Sequence, residues 1–171
     1  KIKKNDEILL PSVSFIAAAN SIKYCSGIPH FVDSETDTLG VDVEKLEKYL
    51  KKNTKMVNNI CINKKTNNTI KAIVCVHVFG LSLNIKSLVK LAKKYNILVI
   101  EDAAEALGSY NSNKHLGTYS DIGILSFNGN KIITTGGGGA LLTNKKSFAI
   151  RAKKLSTINK KENKWNYDYA G

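Results

Sequence analysis

Residues 72–78, Ala-Ile-Val-Cys-Val-His-Val, are apolar at every position except His77. A strand with one wet face alternates polar and apolar side chains. An unbroken run of this length points instead to a strand covered on both faces, as in a parallel sheet. Ile97-Leu98-Val99-Ile100 repeats the pattern and ends at Glu101-Asp102. Between the two runs, Leu88, Leu91, Ala92 and Tyr95 recur at helical spacing on a segment from about Asn84 to Asn96. Strand, helix and strand at this interval make a βαβ crossover.

The rest of the chain extends that alternation. Glu7-Ile8-Leu9-Leu10-Pro11 is a short strand stopped by proline, and Ser14 is placed to cap a helix from Phe15 to about Cys25, with Gly27 as its stop. Pro29 to Val32 is a second strand, closed by Asp33. Asp42 caps a helix carrying Val43, Leu46 and Leu50 on one face. Asn53 to Thr69 is rich in Asn and Lys and reads as a surface loop with a brief apolar interruption at Ile60 and Ile62. Ser109-Tyr110 and His115-Leu116 form a small hairpin, Ile122 to Phe127 and Ala140 to Thr143 are further strands, and a basic helix starts at Lys145. The fold class is α/β, a mostly parallel central sheet flanked by helices. At 171 residues, 43% of them hydrophobic, the chain holds one sizeable domain.

Composition narrows the function classes. The net charge of +12 invites a nucleic-acid partner, but of the 26 basic residues only Arg151 is an arginine, and the lysines are scattered in pairs. Base and phosphate readers favour arginine forks, so no specific nucleic-acid partner is expected. Cys25, Cys61 and Cys75 have no metal spacing and are odd in number, which fits reduced thiols in the cytoplasm. No apolar stretch approaches the length of a membrane span, and no signal-peptide core follows the polar start. The chain begins at Lys1 and is read as a piece of something longer.

Open parallel sheets bind ligands at the carboxyl ends of their strands. Three expected strands put polar groups there: His77 with Gly80, Asp102, and Ser126 with Asn128. Asp102 alone reads first as a helix N-cap ahead of Ala103-Ala104-Glu105-Ala106-Leu107, a role compatible with a site carboxylate. His77 reads first as a buried, hydrogen-bonded imidazole. The most specific segment is Ser126-Phe127-Asn128-Gly129-Asn130-Lys131-Ile132-Ile133-Thr134-Thr135 followed by glycine at 136–139. Its lysine lies between a buried strand and a glycine run, and glycine permits close backbone approach and positive φ. Ser126, Thr134 and Thr135 offer hydroxyls to phosphate oxygens. The spacing is neither that of a P-loop nor that of a dinucleotide fingerprint. A plain glycine turn explains the run equally well on spacing alone. Taken together, a lysine amine, a carboxylate and hydroxyl donors meet the needs of pyridoxal 5'-phosphate: a nucleophile, a partner for the ring nitrogen and phosphate ligands.

Glu101-Asp102-Ala103-Ala104-Glu105-Ala106-Leu107-Gly108, Gly117-Thr118-Tyr119-Ser120-Asp121-Ile122-Gly123 and residues 126–139 closely resemble the DegT/DnrJ/EryC1/StrS aminotransferases. So do residues 10–20 and Pro29-His30-Phe31-Val32-Asp33. The resemblance runs from about Asp6 to the end. It implies the large domain of a fold type I aminotransferase dependent on pyridoxal 5'-phosphate. Lys131 then matches the lysine that bonds the cofactor and shuttles protons. Asp102 matches the carboxylate on the pyridine nitrogen, Phe15 the aromatic stacked on the ring, and Ser126 a phosphate ligand. Glu105 stands near the cofactor where many members carry Gln or His. Gly137 replaces the Glu of a related version of the motif.

The implied reaction is transamination of a nucleotide-linked 4-keto-6-deoxy sugar with glutamate as amino donor, in amino-sugar synthesis for surface glycans, of the perosamine, legionaminic or bacillosamine type. The implied enzyme is a cytoplasmic homodimer when full length. Members are considerably longer, so residues 1–171 are expected to be most of the cofactor-binding large domain, without an N-terminal segment and the small C-terminal domain. Two alternatives stand: an inactive or binding-only aminotransferase-like fragment, and a relative of the sugar dehydratases that use the same cofactor. The dehydratases carry His where this chain has Lys131.

Overall fold

A computed structural model describes residues 1–157; residues 158–171, which include Trp165 to Gly171, lie outside the described residues. The strands β1 (Glu7–Pro11), β2 (Ile28–Val32), β5 (Ile70–Val76), β6 (Leu98–Asp102), β9 (Ile122–Ser126) and β10 (Gly139–Leu142) form one six-stranded sheet in the order β10-β9-β6-β5-β1-β2. All neighbours are parallel except β9 and β10. The fold class is therefore as expected: α/β, with a mostly parallel sheet and flanking helices.

Side chains of a strand alternate between faces, and this sorts the core. Ile8, Leu10, Ala72 and Val74 pack with Ala18, Ala19 and Ile22 of helix α1 (Ile16–Tyr24). Leu9, Ile73, Cys75 and Val99 face the other way. They pack with Leu46 and Leu50 of α2 (Val43–Asn53) and with Leu88, Leu91 and Ala92 of α3 (Ile85–Lys94). Asp42 accepts a hydrogen bond from the Lys45 amide and Asn84 one from the Ser87 amide, so both helices carry side-chain caps. Helix α4 (Lys146–Ser156) starts after Lys145 as the basic pattern predicts.

Three local expectations are corrected. Ser14 does not cap α1; Phe15 occupies that position with extended backbone and no side-chain cap. The left-handed residue ending α1 is Ser26 (φ 63°) rather than Gly27, whose packing against Ile22 leaves little room for a Cβ. Residues 53–69 are not a plain loop. They contain an antiparallel hairpin, β3 (Thr54–Val57) with β4 (Ile60–Asn63). Asn58 and Asn59 both have positive φ (47° and 63°), the geometry of a two-residue primed turn. The small hairpin of β7 (Tyr110–Asn111) and β8 (Lys114–His115) forms as the spacing predicts.

The hairpin closes a polar cluster at the amino end of β1. Glu7, 1% exposed, accepts from Asn63 Nδ2 at 2.9 Å, Asn68 Nδ2 at 3.3 Å and the Thr66 hydroxyl, and pairs with His30 Nδ1 at 2.8 Å. Burial pushes the Glu7 carboxyl up, but the hydrogen bonds from Asn63, Thr66 and His30 outweigh it and hold it below the usual range. A carboxylate depressed in the folded state stabilises above its unfolded pKa, and that stabilisation fades as pH falls through the folded value. Unfolding free energy should therefore drop on acidification below about pH 4.3. In Glu7→Gln that dependence should be shallower, and stability at neutral pH lower by about 1–3 kcal/mol. Urea titrations at several pH values measure both.

Candidate active site

The carboxyl ends of β1, β5, β6 and β9 open onto one cavity of about 240 Å³. Phe15 comes from the β1–α1 turn, His77 and Phe79 from the turn after β5, Asp102 and Glu105 from the end of β6, and Lys131 from the loop after β9. The sequence-derived residues Lys131, Asp102, Phe15 and Glu105 are thus brought together. Ser126 is not in the lining. It ends β9 opposite Gly139, and its hydroxyl accepts from the Asn128 amide at 3.4 Å.

Strand alternation explains which of two adjacent acids reaches the cavity. Val99 belongs to the α2/α3 side and Ile100 to the α1 side. Glu101 therefore turns under the sheet and Asp102 turns toward Phe15. No helix follows Asp102, so the N-cap expectation is corrected: residues 103–108 form turns, and Asp102 Oδ1 accepts from the Ala104 amide at 3.1 Å. Burial raises the Asp102 pKa. The Ala104 amide and the charges of Lys131 and His77 pull it down, while Glu105 adds to the rise, and the net shift is upward.

The Lys131 side chain is only 18% exposed, and its Nζ lies 3.6 Å from Glu105 Oε1. The other Glu105 oxygen accepts from the Phe79 amide at 3.0 Å. Phe79 has φ 52°, an uncommon conformation for an aromatic residue, and its ring is largely exposed at the cavity. Sequence reading passed over this residue; Gly80 beside it was the only hint of a tight turn.

The loop carrying Lys131 is closed by its own backbone. The Lys131 amide donates to Asn128 O at 3.0 Å. Phe127 O receives the Thr135 amide at 3.1 Å and the Thr134 hydroxyl at 3.1 Å. The Thr135 hydroxyl donates to Gly137 O. Both threonine hydroxyls, expected as phosphate donors, are engaged in holding the loop. Gly136 and Gly138 take positive φ (83° and 100°), and a Cβ on Gly139 would sit 2.5 Å from Leu125 O. The glycine run thus serves loop closure and strand approach.

Sequence reading also gave Glu101 no role. It is fully buried. Its Oε2 receives Gly117 N at 2.8 Å and lies 3.1 Å from His77 Nε2; its Oε1 receives Tyr119 N and Ser120 N, each at 2.8 Å. Burial opposes the charge, but these donors hold the carboxyl below its usual range. The turn it organises touches β9 closely: a Cβ on Gly123 would lie 1.8 Å from Gly117 O. Gly123→Ala should therefore cost about 3 kcal/mol or more in urea unfolding followed by circular dichroism, because backbone, not a flexible side chain, stands in the way.

The DegT/DnrJ/EryC1/StrS aminotransferase family profile matches residues 1–171. A GDP-perosamine synthase of Escherichia coli O157:H7 is 41% identical over 150 residues, covering 88% of this chain and 37% of that protein. A putative pyridoxal phosphate-dependent aminotransferase, EpsN, of Bacillus subtilis (strain 168) is 39% identical over 158 residues, covering 92% and 38%. The crystal structure of a DegT/DnrJ/EryC1/StrS aminotransferase from Brucella abortus superposes with a TM-score of 0.86 at 27% identity, over 98% of this chain and 43% of that one. The chain thus spans well under half the length of these relatives. With a matching backbone fold and a profile match over its whole length, the chain belongs to the DegT/DnrJ/EryC1/StrS aminotransferase family.

Proposed function

We propose that the protein is a pyridoxal 5'-phosphate-dependent sugar aminotransferase, acting on a nucleotide-linked 4-keto-6-deoxy sugar with glutamate as amino donor. The observation that carries this reading is the shared cavity of Lys131, Asp102 and Phe15. The residues present fit the cofactor. A mostly buried amine, a carboxylate lining the same cavity and an exposed aromatic ring are the groups that a flat, charged pyridine needs. His77 Nδ1, buried and without a hydrogen-bond partner among the described residues, marks a wall with polar capacity to spare. When bound, the cofactor supplies an electron sink that lets an amino group pass between an amino acid and a carbonyl carbon.

The chain's own groups divide the work. Lys131 Nζ would hold the cofactor and supply the base that moves a proton. The Asp102 carboxylate, when ionised, would be the partner for a protonated ring nitrogen. Phe15 would supply an aromatic face and exclude water on its side of the cavity. Glu105, joined to the Phe79 amide, keeps Lys131 on its side of the cavity until a ligand competes for it. Ser126 is proposed as a phosphate ligand, reached by a change in the Asn128 contact.

Nucleotide-sugar chemistry is supported by the similarity to a GDP-perosamine synthase. Lysine rather than histidine at position 131 favours amino transfer over dehydration. Residues 1–171 are read as most of the cofactor-binding large domain of a longer enzyme that works as a homodimer in the cytoplasm. Support comes from the length of the relatives and from the exposed apolar side chains Phe15 and Phe79 at the cavity. No helix among the described residues is long and apolar enough to cross a membrane.

Borohydride reduction of the full-length protein with pyridoxal 5'-phosphate should fix the label on the peptide containing Lys131. Lys131→Ala should lose both the label and, by about a thousandfold or more, glutamate-dependent amination of GDP- or UDP-linked 4-keto sugars. A label on another lysine, or none, overturns the assignment. A deoxygenated or dehydrated sugar in place of an amino sugar overturns the reaction type.

A further inference from the structure

Glu101 and His77 form a buried pair that the proposed reaction does not use directly. Both side chains are fully buried, and Glu101 is faced by four donors at 2.8–3.1 Å. An ionised carboxylate only accepts, so the hydrogen at the contact with His77 is assigned to Nε2. That fixes the ring and leaves Nδ1, which has no hydrogen-bond partner among the described residues. His77 also lines the cavity beside Asp102, and its own amide donates to Asp102 O at 3.1 Å. Strand alternation makes this arrangement possible. Glu101 lies under the sheet and Asp102 above it, and His77, one residue past the end of β5, reaches both.

We propose that Glu101 is a positioning residue that acts on Asp102 through His77. Glu101 locks the imidazole in one orientation, and from there the ring lowers the Asp102 pKa and favours the ionised carboxylate that would hold a protonated pyridine nitrogen. This rests on the cofactor reading of the site. The groups facing Asp102 are His77 and Cys75 from β5 and its following turn, Glu105 from its own turn and Lys131 from the β9–β10 loop. Lys131 would be taken up in holding the cofactor, and Glu105 raises the Asp102 pKa. His77 is then the remaining neighbour that pulls the Asp102 carboxyl down. Its loss raises the Asp102 pKa further, so the carboxylate becomes neutral at a higher pH on the way down.

The test is the pH dependence of pyridoxal 5'-phosphate uptake by the full-length apoprotein, read by absorbance, with the melting temperature of the apoprotein measured alongside. In His77→Leu the acid edge of binding should move up by about one pH unit, so that affinity below the edge falls about tenfold while affinity above it changes little. Glu101→Gln should move the edge in the same direction. The double variant should match His77→Leu, because the effect of Glu101 passes through the ring. His77→Leu leaves the three amides of the 117–120 turn on Glu101, so it carries the test if Glu101→Gln does not fold. An unmoved edge in His77→Leu overturns the proposal, as does a Glu101→Gln protein that melts earlier with an unchanged edge. A further shift in the double variant also overturns it. If the wild-type protein takes up no cofactor, the proposed function falls and this inference with it. Normal wild-type uptake with unaltered variants sinks the positioning role alone.

Discussion

The structure depends on a period of two in a sheet covered on both faces. Along β5 and β6, successive residues serve different layers: Ile73, Cys75 and Val99 pack on α2 and α3, while Val74 and Ile100 face α1. Parallel register then brings the same ends of neighbouring strands to one edge, with Val76 opposite Asp102 and Asp102 opposite Ile124. A one-residue slip in β6 would exchange Glu101 and Asp102. The acid with four buried donors would then face the cavity, and the other would be buried without partners. The chemistry of the site is thus set by a register that hydrophobic packing enforces.

The two edges of the sheet divide their tasks. At the amino end, Glu7 is saturated by His30, Asn63, Thr66 and Asn68, and it ties β1 to β2 and to the chain leading from β4 into β5. At the carboxyl end, polar groups are left with spare capacity: Asp102 has a raised pKa, His77 Nδ1 has no partner among the described residues, and the Lys131–Glu105 contact is long. Fully matched polar clusters stabilise a fold, and partly matched ones are where a ligand can gain. That contrast distinguishes the candidate site from the structural cluster without appeal to resemblance.

Much of the architecture was legible from the chain. The apolar runs at 72–78 and 97–100 announced buried parallel strands, and Asp42 marked a helix start through its cap chemistry. Asp102 and Lys131 stood out because each follows a buried strand, whereas Phe15 and Glu105 came only from the family resemblance. What stayed hidden depends on three-dimensional pairing. The β3–β4 hairpin hinges on two left-handed asparagines, and its strands are short enough that Asn and Lys dominate the count. The role of Glu101 appears only when the 117–120 turn folds back onto it. Thr134 and Thr135 looked like free donors because nothing in their spacing reveals that Phe127 O and Gly137 O accept from them.

Cys75 stands opposite Glu101 in the β5–β6 register and is fully buried. Burial, with the nearby Glu101 and Asp102 charges adding to it, pushes its thiol well above the ordinary value. Oxidants and alkylating agents attack thiolates, so this sulfur, beside the candidate site, is poorly reactive. Damage from peroxide falls instead on exposed Cys25 at the end of α1, outside the residues that line the candidate site.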